Sequence, residues 1–174
     1  MIIADELRHL GSRPHPGQRP GGIGLVTLRA TATEPAATLD RTKEVLRTVL
    51  TAGEHGWRTA EEWADELPRW FIDRCAPESP AGQRSEWLTW WRNLDPSGRS
   101  EAAERRAWSL DDWLFWLQPE ERTWYWWDSR IAGPQVVEIV LDVPGWPAPT
   151  GALSWLLKTA GADDVALPEL VSEI

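Results

Sequence analysis

Cysteine is almost absent from this 174-residue sequence, which contains only Cys75. A single cysteine cannot form an intrachain disulfide, so nothing in the sequence indicates an oxidising compartment. The sequence also lacks the run of about 20 apolar residues that a membrane-spanning helix needs. Its N-terminus opens with a short apolar run followed by acidic residues, which is unlike a signal peptide. We therefore expect a cytoplasmic protein that does not bind membranes.

Basic residues are scarce as well, with 18 arginines and lysines against 27 acidic residues and a formal net charge of −9. Only Lys43 and Lys158 are lysines. An acidic chain repels phosphate backbones, so we expect no nucleic-acid partner. The same charge would attract a basic protein, although many proteins are acidic for solubility alone.

Motifs of the common catalytic and cofactor sites are missing: there is no P-loop, HExxH or GxSxG. The three histidines and Cys75 lack the spacing of metal ligands. The glycines of residues 21–24 precede a predicted strand, whereas a phosphate-binding turn follows one. Cys75 and His55 would suit a nucleophile and base, but a lone cysteine near an aromatic helix is more often buried packing. We expect no metal, no cofactor and, on balance, no enzymatic activity.

Tryptophan is the residue that the sequence has in excess, with 14 copies. With 42% hydrophobic and 26% charged residues the composition is that of a globular protein, and the length suits one domain. Because prolines and glycines crowd residues 11–22, we predict a flexible N-terminal arm at 1–22, with a short helix around Ile3 to Leu10. A single domain would then occupy residues 23–174.

The first part of this domain predicts a strand and then a helix. Ile23 to Ala32 is rich in branched residues. Its apolar side chains fall on both odd and even positions, which is typical of a strand covered on both faces. A helical period then begins at Thr38, which can cap the helix, and ends at Gly53.

Residues 54–121 predict a run of helices rich in tryptophan. Their boundaries follow from four local signals: a capping box from Thr59 to Glu62, a break at Pro68, a start at Ser79-Pro80, and a start at Ser109 with a stop at Pro119. The polar stretch at residues 97–107 is expected to be helical at most briefly.

After residue 121 the hydrophobic period returns to two. The expected elements are a strand at Arg122 to Asp128, a loop at Ser129 to Pro134, a strand at Gln135 to Val143, a helix capped by Thr150 and ended by Gly161, and a short strand at Asp164 to Leu167. Without residues 54–121, the order of elements predicts an α+β fold of the ferredoxin-like (split βαβ, βαββαβ) plan. Two helices would cover one face of its antiparallel sheet, and the helical insertion would fold over the other face.

Most of the tryptophans must be buried, because each one removes roughly 150 to 250 Å² from water when it packs. Core packing is expected for the six on helix faces: Trp63, Trp70, Trp87, Trp91, Trp113 and Trp155. Six others are placed less clearly. Trp90 and Trp116 lie near the edges of the apolar faces of their helices, Trp146 lies in a loop, and Trp124, Trp126 and Trp127 occupy both faces of one strand.

The candidate ligand-binding or partner-binding residues lie around that strand and its neighbours in the predicted sheet. They are Trp124, Trp126, Trp127, Asp128, Glu138 and Arg29. Glu138 faces away from the helix-covered side of the sheet, where Arg29 of the first strand could reach it. We expect these two residues to form an ion pair beneath the insertion rather than a catalytic pair.

Three functional hypotheses follow. The preferred one is a non-enzymatic binding protein that engages another protein, which could be basic, through an acidic, tryptophan-rich surface. The alternative is a binding or hydrolytic pocket for a small molecule or carbohydrate, between the sheet and the insertion, because tryptophans with nearby acids are typical of sugar-binding clefts. The third is a homodimer that pairs exposed sheet faces.

Overall fold

The computed structural model describes residues 3–53, 56–78, 83–166 and 169–170, and it confirms an α+β architecture. Eight helices are present in these residues: α1 Ile3–Gly11, α2 Pro35–Gly53, α3 Ala60–Glu66, α4 Arg69–Ile72, α5 Gln83–Arg92, α6 Pro96–Arg105, α7 Leu110–Phe115 and α8 Gly151–Ala160. The strands are β1 Gly24–Thr31, β2 Tyr125–Gly133, β3 Val136–Val143, β4 Asp164–Val165 and β5 Glu169–Leu170. Within the described ranges, no helix combines the length and the apolar character needed to cross a bilayer.

The strands form one open antiparallel sheet. Its order is β2-β3-β1-β4, and β5 pairs with β1 as well. The register between β1 and β3 places Arg29 opposite Glu138 and Leu28 opposite Ile139. Long-range pairing thus brings residues about a hundred positions apart in the chain onto the same rung.

In the described part of the chain, helices cover one face of β1. Val26, Leu28 and Ala30 are buried, whereas Arg29 and Thr31 on the opposite face are exposed. The expectation that both faces of this strand are covered was therefore wrong. Apolar residues at both odd and even positions of a strand do not require a covering layer on each face. Helices α2 and α8 pack on the buried face through apolar residues that join the same core as the strands.

The helical insertion packs on the outer side of α8, against the helix layer. Phe71 and Trp113 contact Trp155 of α8, with ring centroids 5.4 and 6.4 Å apart. The indole N–H of Trp113 donates to the carbonyl of Ala152 at 3.0 Å. The expectation that the insertion covers the second face of the sheet was wrong. Helix α8 points the large indole of Trp155 away from the sheet, and burying that indole against the insertion is favourable.

Helix α1 lies along β2 and is held by a buried carboxylate. Glu6 accepts a hydrogen bond from the backbone N–H of Trp126 at 2.7 Å and pairs with the buried guanidinium of Arg122 at 2.5 Å.

The segment before β1 is also bound to the sheet. The N–H groups of Gly21 and Gly22 donate to the carboxylate of Asp142 at 2.8 and 2.9 Å. The flexibility of residues 1–22 and the division into an arm and one domain stay predictions.

Two helices differ from expectation at their N-termini. Helix α2 begins at Pro35 rather than at Thr38, because a proline suits the first helical position. Helix α6 spans ten residues where at most a brief helix was expected. There the carboxylate of Asp95 accepts the N–H of Gly98 at 2.6 Å, which caps the helix, and Pro96 again takes the first position.

The other local signals of the insertion are mostly confirmed. The Thr59–Glu62 capping box is present, Pro68 separates α3 from α4, and the side chain of Ser109 accepts the N–H of Asp112. Helix α7 ends before Pro119, at Phe115. The start predicted at Ser79-Pro80 lies outside the described residues.

The hairpin and the C-terminal elements also differ in part. Strand β2 begins at Tyr125 rather than Arg122 and runs on to Gly133, so the loop expected from Ser129 to Pro134 was wrong. A register shift after Trp126 leaves Trp127 as an extra residue, as in a β-bulge. Helix α8 starts and ends as expected, but Thr150 makes no side-chain cap. Strand β4 covers Asp164–Val165, and Leu167, where the predicted strand ended, is outside the described residues.

Candidate functional site

A large cleft lies between α8 on one side and α5, α6 and the loop at 144–150 on the other. Its volume is about 760 Å³. We call it the tryptophan cleft, because six of the fourteen tryptophans line it: Trp87, Trp91, Trp108, Trp116, Trp146 and Trp155. Aromatic residues at this density make a concave apolar surface of the kind that binds small molecules.

Helix α5 supplies one wall of the cleft. Trp87 and Trp91 are one helical turn apart, and their rings stack with centroids 5.9 Å apart and an angle of 18° between the planes. Trp116, which caps the C-terminus of α7, meets Trp91 edge to face at 5.4 Å. The wall is therefore a continuous aromatic surface built from two separate helices.

Helix α8 supplies the facing wall through one stripe of its surface. Gly151, Ser154, Trp155 and Lys158 all line the cleft and recur at three-residue and four-residue intervals. The opposite side of α8 is occupied by buried residues that pack on the sheet, such as Leu153. The same helix thus holds the core with one face and the cleft with the other.

Trp146 forms the rim of the cleft. It lies in the loop between β3 and α8, follows Gly145 and precedes a cis peptide bond to Pro147. Its side chain is 42% exposed. Because proline fixes one backbone dihedral of this loop, the indole is held at the cleft by a restricted connection.

The buried guanidinium of Arg106 packs against two of the cleft tryptophans. The guanidinium carbon of Arg106 lies 3.8 Å from the ring centroid of Trp87 and 4.8 Å from that of Trp108. Arg106 also pairs with Asp112 at 2.6 Å, and both side chains are buried. Asp112 accepts a second hydrogen bond from Arg84 at 2.6 Å. Burial alone would raise the pKa of Asp112, but the hydrogen bonds and charges of Arg84 and Arg106 outweigh it and lower the pKa.

Three ionisable side chains line the cleft in the part of the chain whose side chains are described. Asp95 is engaged as the cap of α6. Arg99 donates to the carbonyls of Leu94 and Arg92 at 2.9 and 2.7 Å, and its guanidinium lies 5.1 Å from the ring of Trp91. Lys158 is half-buried and has no ion-pair or hydrogen-bond partner within the described chain. Lys158 is therefore the lining cation whose donors are all free within the described residues.

The tryptophans predicted as site residues are not in this cleft. Trp124, Trp126 and Trp127 are only 1%, 0% and 8% exposed. The ring of Trp126 lies 6.0 Å from the ammonium of Lys43, and Trp127 meets the ring of His9 edge to face at 4.9 Å. As they are packed here, these three residues offer almost no surface to a ligand.

The charged members of the predicted site lie on the uncovered face of the sheet. Glu138 accepts hydrogen bonds from Arg29 at 2.9 Å and from Arg130 at 2.6 Å. The side chain of Arg29 is 57% exposed, so the expected ion pair is confirmed but its expected place beneath the insertion was wrong. Desolvation would raise the pKa of Glu138, but the hydrogen bonds and charges of Arg130 and Arg29 hold it below its usual value. Asp128 accepts the N–H of Ser129 at 2.8 Å.

The tryptophans expected in the core divide between core and cleft. Trp63 and Trp113 are fully buried, as expected, while Trp70 and Trp155 are partly buried against the core. Trp91 is buried but forms part of the cleft wall. The expectation was wrong for Trp87, which is only half-buried, because its helix face meets the cleft instead of a filled core.

Sequence reasoning did not single out Trp108, Arg106 or Lys158. Trp108 is isolated in a polar stretch, so no periodic pattern reveals it. Lys158 follows Ser154 by four residues on the polar side of an amphipathic helix, a signal that marks an ordinary solvated face just as well. The placement of Trp146 between a glycine and a proline was a usable signal, because it predicts a rigid loop that presents an indole.

Groups suited to covalent or metal chemistry are not concentrated at the cleft. Desolvation, with a smaller contribution from Glu78, raises the pKa of the Cys75 thiol to about 12. Among the described residues, no group of three or more histidine, cysteine or acidic side chains is placed to hold a metal ion. No family model, no curated protein and no solved structure matches this chain.

Proposed function

We propose that the protein is a non-enzymatic binding protein and that it binds a small, largely apolar molecule in the tryptophan cleft. The observation that carries this proposal is the cleft of about 760 Å³ lined by six indoles. Binding pockets for small molecules usually measure about 300 to 1,000 Å³ and combine apolar walls with a few polar groups. Ser154, Thr150 and Lys158 are the polar groups of the α8 wall.

A neutral fluorescent probe, N-phenyl-1-naphthylamine, tests the proposal. Titration into the protein should show saturable binding, because the probe has two aromatic groups that can stack on the indoles. Trp146→Ala should weaken the binding about tenfold or more, which corresponds to about 1.4 kcal/mol. Trp90→Ala is the matched control, since Trp90 is 51% exposed and does not line the cleft. Equal losses in the two variants, or no saturable binding, would contradict the proposal.

The second candidate is a protein partner, which would insert a side chain into the same cleft. Trp90 and Trp146 favour it, because exposed tryptophans are typical of the residues that dominate protein interfaces. The net charge of −9 favours a basic partner. A pull-down at low and high salt, with wild type and Trp146→Ala, tests this candidate. A partner retained equally at both salt concentrations and by both proteins would count against it.

A homodimer through the uncovered sheet face remains a third candidate. Arg29 and Arg130 are exposed there on either side of Glu138, and Ile23, the residue before β1, is also exposed. Light scattering should give about twice the chain mass of 19.7 kDa if the dimer forms. A monomeric mass would remove this candidate and leave the cleft proposal intact.

We also infer the ferredoxin-like plan and a cytoplasmic location. The fold inference is supported by the antiparallel order β2-β3-β1-β4 and by the placement of α2 and α8 on one face. The location is supported by the single cysteine. Localisation of a fluorescent fusion of the chain would test the second inference.

A further inference from the structure

The charges that line the tryptophan cleft differ in sign from the protein as a whole. The chain carries a net charge of −9, yet among the residues whose side chains the structure describes the cleft has two cations, Arg99 and Lys158, and one acid, Asp95. Asp95 already accepts the N–H of Gly98, so its carboxylate is partly satisfied by the helix that it caps. The lining therefore carries a local excess of positive charge in an acidic molecule.

The two cations differ in how far the protein already engages them. The guanidinium of Arg99 donates hydrogen bonds to the carbonyls of Leu94 and Arg92 and lies over the ring of Trp91. Lys158 has no partner in the described part of the chain, and its ammonium carries three donors. Ser154 lies one turn before it on the same stripe of α8 and adds a hydroxyl to the same wall.

The unpaired ammonium of half-buried Lys158, beside aromatic walls, is best satisfied by an anion that the ligand brings. A hydrogen bond between charged groups is about twice as strong as one between neutral groups. A neutral ligand would have to leave Lys158 to the solvent or desolvate it without a counter-charge, and desolvation of a cation is costly. The indoles of Trp91, Trp116 and Trp155 would meanwhile contact an aromatic or aliphatic body.

We propose that the tryptophan cleft selects small organic anions, which combine an aromatic or aliphatic body with one carboxylate or sulfonate group, and that Lys158 binds that group. This inference rests on the proposed binding function of the cleft and names the class of its ligand. The net negative charge of the protein works against any anion at long range. Tighter binding of an anion than of its neutral counterpart therefore requires a local cation.

A pair of matched probes tests the inference. N-phenyl-1-naphthylamine is neutral, and 8-anilinonaphthalene-1-sulfonate has the same ring skeleton with a sulfonate added. Wild type should bind the sulfonate more tightly than the neutral probe. Lys158→Met should weaken binding of the sulfonate about five- to tenfold and leave the neutral probe unchanged, because the lysine stem and its methionine replacement present similar apolar surface.

Two further variants control for charge. Lys158→Arg keeps the positive charge and should retain most of the preference for the sulfonate. Lys43→Met removes the only other lysine, which lies on α2 over Trp126, and should change neither affinity. Because this control alters the net charge of the protein by the same amount, it separates a local ion pair from a general electrostatic effect.

The outcomes separate this inference from the function on which it rests. If both probes bind equally, or if Lys158→Met weakens both to the same degree, the anion selectivity is overturned while the cleft remains a binding site. If Trp146→Ala leaves both affinities unchanged, or if neither probe binds, the proposed function is overturned together with the inference.

Discussion

At the scale of single residues, the Arg106 guanidinium shows how the cleft is supported. It contacts the rings of Trp87 and Trp108, and its charge is balanced by the buried carboxylate of Asp112. A buried ion pair is not a strong source of stability by itself, but removing one partner leaves the other charge buried without compensation. The positions of two cleft tryptophans therefore depend on one aspartate.

Asp112→Asn should lower the free energy of unfolding by about 3 kcal/mol, because it leaves Arg106 without its counter-charge. Urea denaturation would measure the change. Asp111→Asn is the matched control, since Asp111 is the neighbouring residue and pairs with Arg84 near the surface. The control should lose less than about 1 kcal/mol. Similar losses in the two variants would refute the special role of Asp112.

The stability difference between wild type and Asp112→Asn should depend on pH. The pKa of Asp112 is lower in the folded protein than its ordinary value, so the folded state favours the ionised carboxylate. Its contribution is present above the unfolded pKa of about 4 and is lost as the pH falls towards the folded pKa. Denaturation curves at a series of pH values should converge below about pH 4. A constant difference down to pH 3 would rule out the carboxylate as its source.

Cys75 should react slowly with thiol reagents. Its pKa of about 12 leaves almost no thiolate at pH 8, and the thiolate is the nucleophile. We expect labelling by a disulfide reagent at pH 8 to be at least about a hundredfold slower in the native protein than in urea. The unfolded chain supplies the control in the same assay. Rapid labelling of the native protein would show that Cys75 is more accessible than its burial indicates.

At the scale of the elements, the sequence predicts those whose signals are local. The Thr59–Glu62 capping box, the break at Pro68 and the end of α8 at Gly161 are each encoded within a few residues. The length of helix α6 was underestimated because its polar residues give no apolar face, although Asp95 and Pro96 form a start signal. The extension of β2 to Gly133 was missed because pairing with β3 overrides a weak strand preference.

The docking of α1 should depend on Glu6. Glu6→Gln would leave the buried guanidinium of Arg122 without its counter-charge and should destabilise the fold by about 3 kcal/mol. Asp5→Asn, which removes an exposed pair with Arg8 in the same helix, should cost less than about 1 kcal/mol. Urea denaturation measures both.

A double variant sharpens this test. Combining Glu6→Gln with Arg122→Met removes both charges and should be more stable than Glu6→Gln alone, because no unpaired charge remains. A double variant that is less stable than the single one would indicate that Arg122 acts through its packing against Trp124 and Tyr125.

At the scale of the whole molecule, the layers decide where the site lies. The molecule has three layers, which are the sheet, then helices α2 and α8, and then the helical insertion. The cleft lies between the second and the third layer. The sequence predicted the α+β class and the ion pair of Arg29 with Glu138, since both follow from periodicity and register. It did not predict the cleft, because no local pattern shows on which side of the sheet an insertion will pack.

Ligand binding should stabilise the whole molecule, because α8 belongs to both the core and the cleft. At a concentration one hundred times its dissociation constant, a ligand adds about 2.7 kcal/mol to the free energy of unfolding. For a domain of this size, that is a rise of roughly 5 to 10 °C in Tm. Thermal unfolding with and without the sulfonate probe measures it, and Lys158→Met should show a smaller rise at the same probe concentration. A Tm that does not change at saturation would mean that the probe binds the unfolded chain equally well.

The stacked pair of Trp87 and Trp91 also has a spectroscopic consequence. Two indoles with nearly parallel planes and centroids 5.9 Å apart couple their excited states. Such coupling adds bands of opposite sign to the far-ultraviolet circular dichroism, where helices also absorb. The helix content of this protein cannot then be derived from its dichroism by reference curves for ordinary helices, and the added bands offer an optical signal for any molecule that separates the two rings.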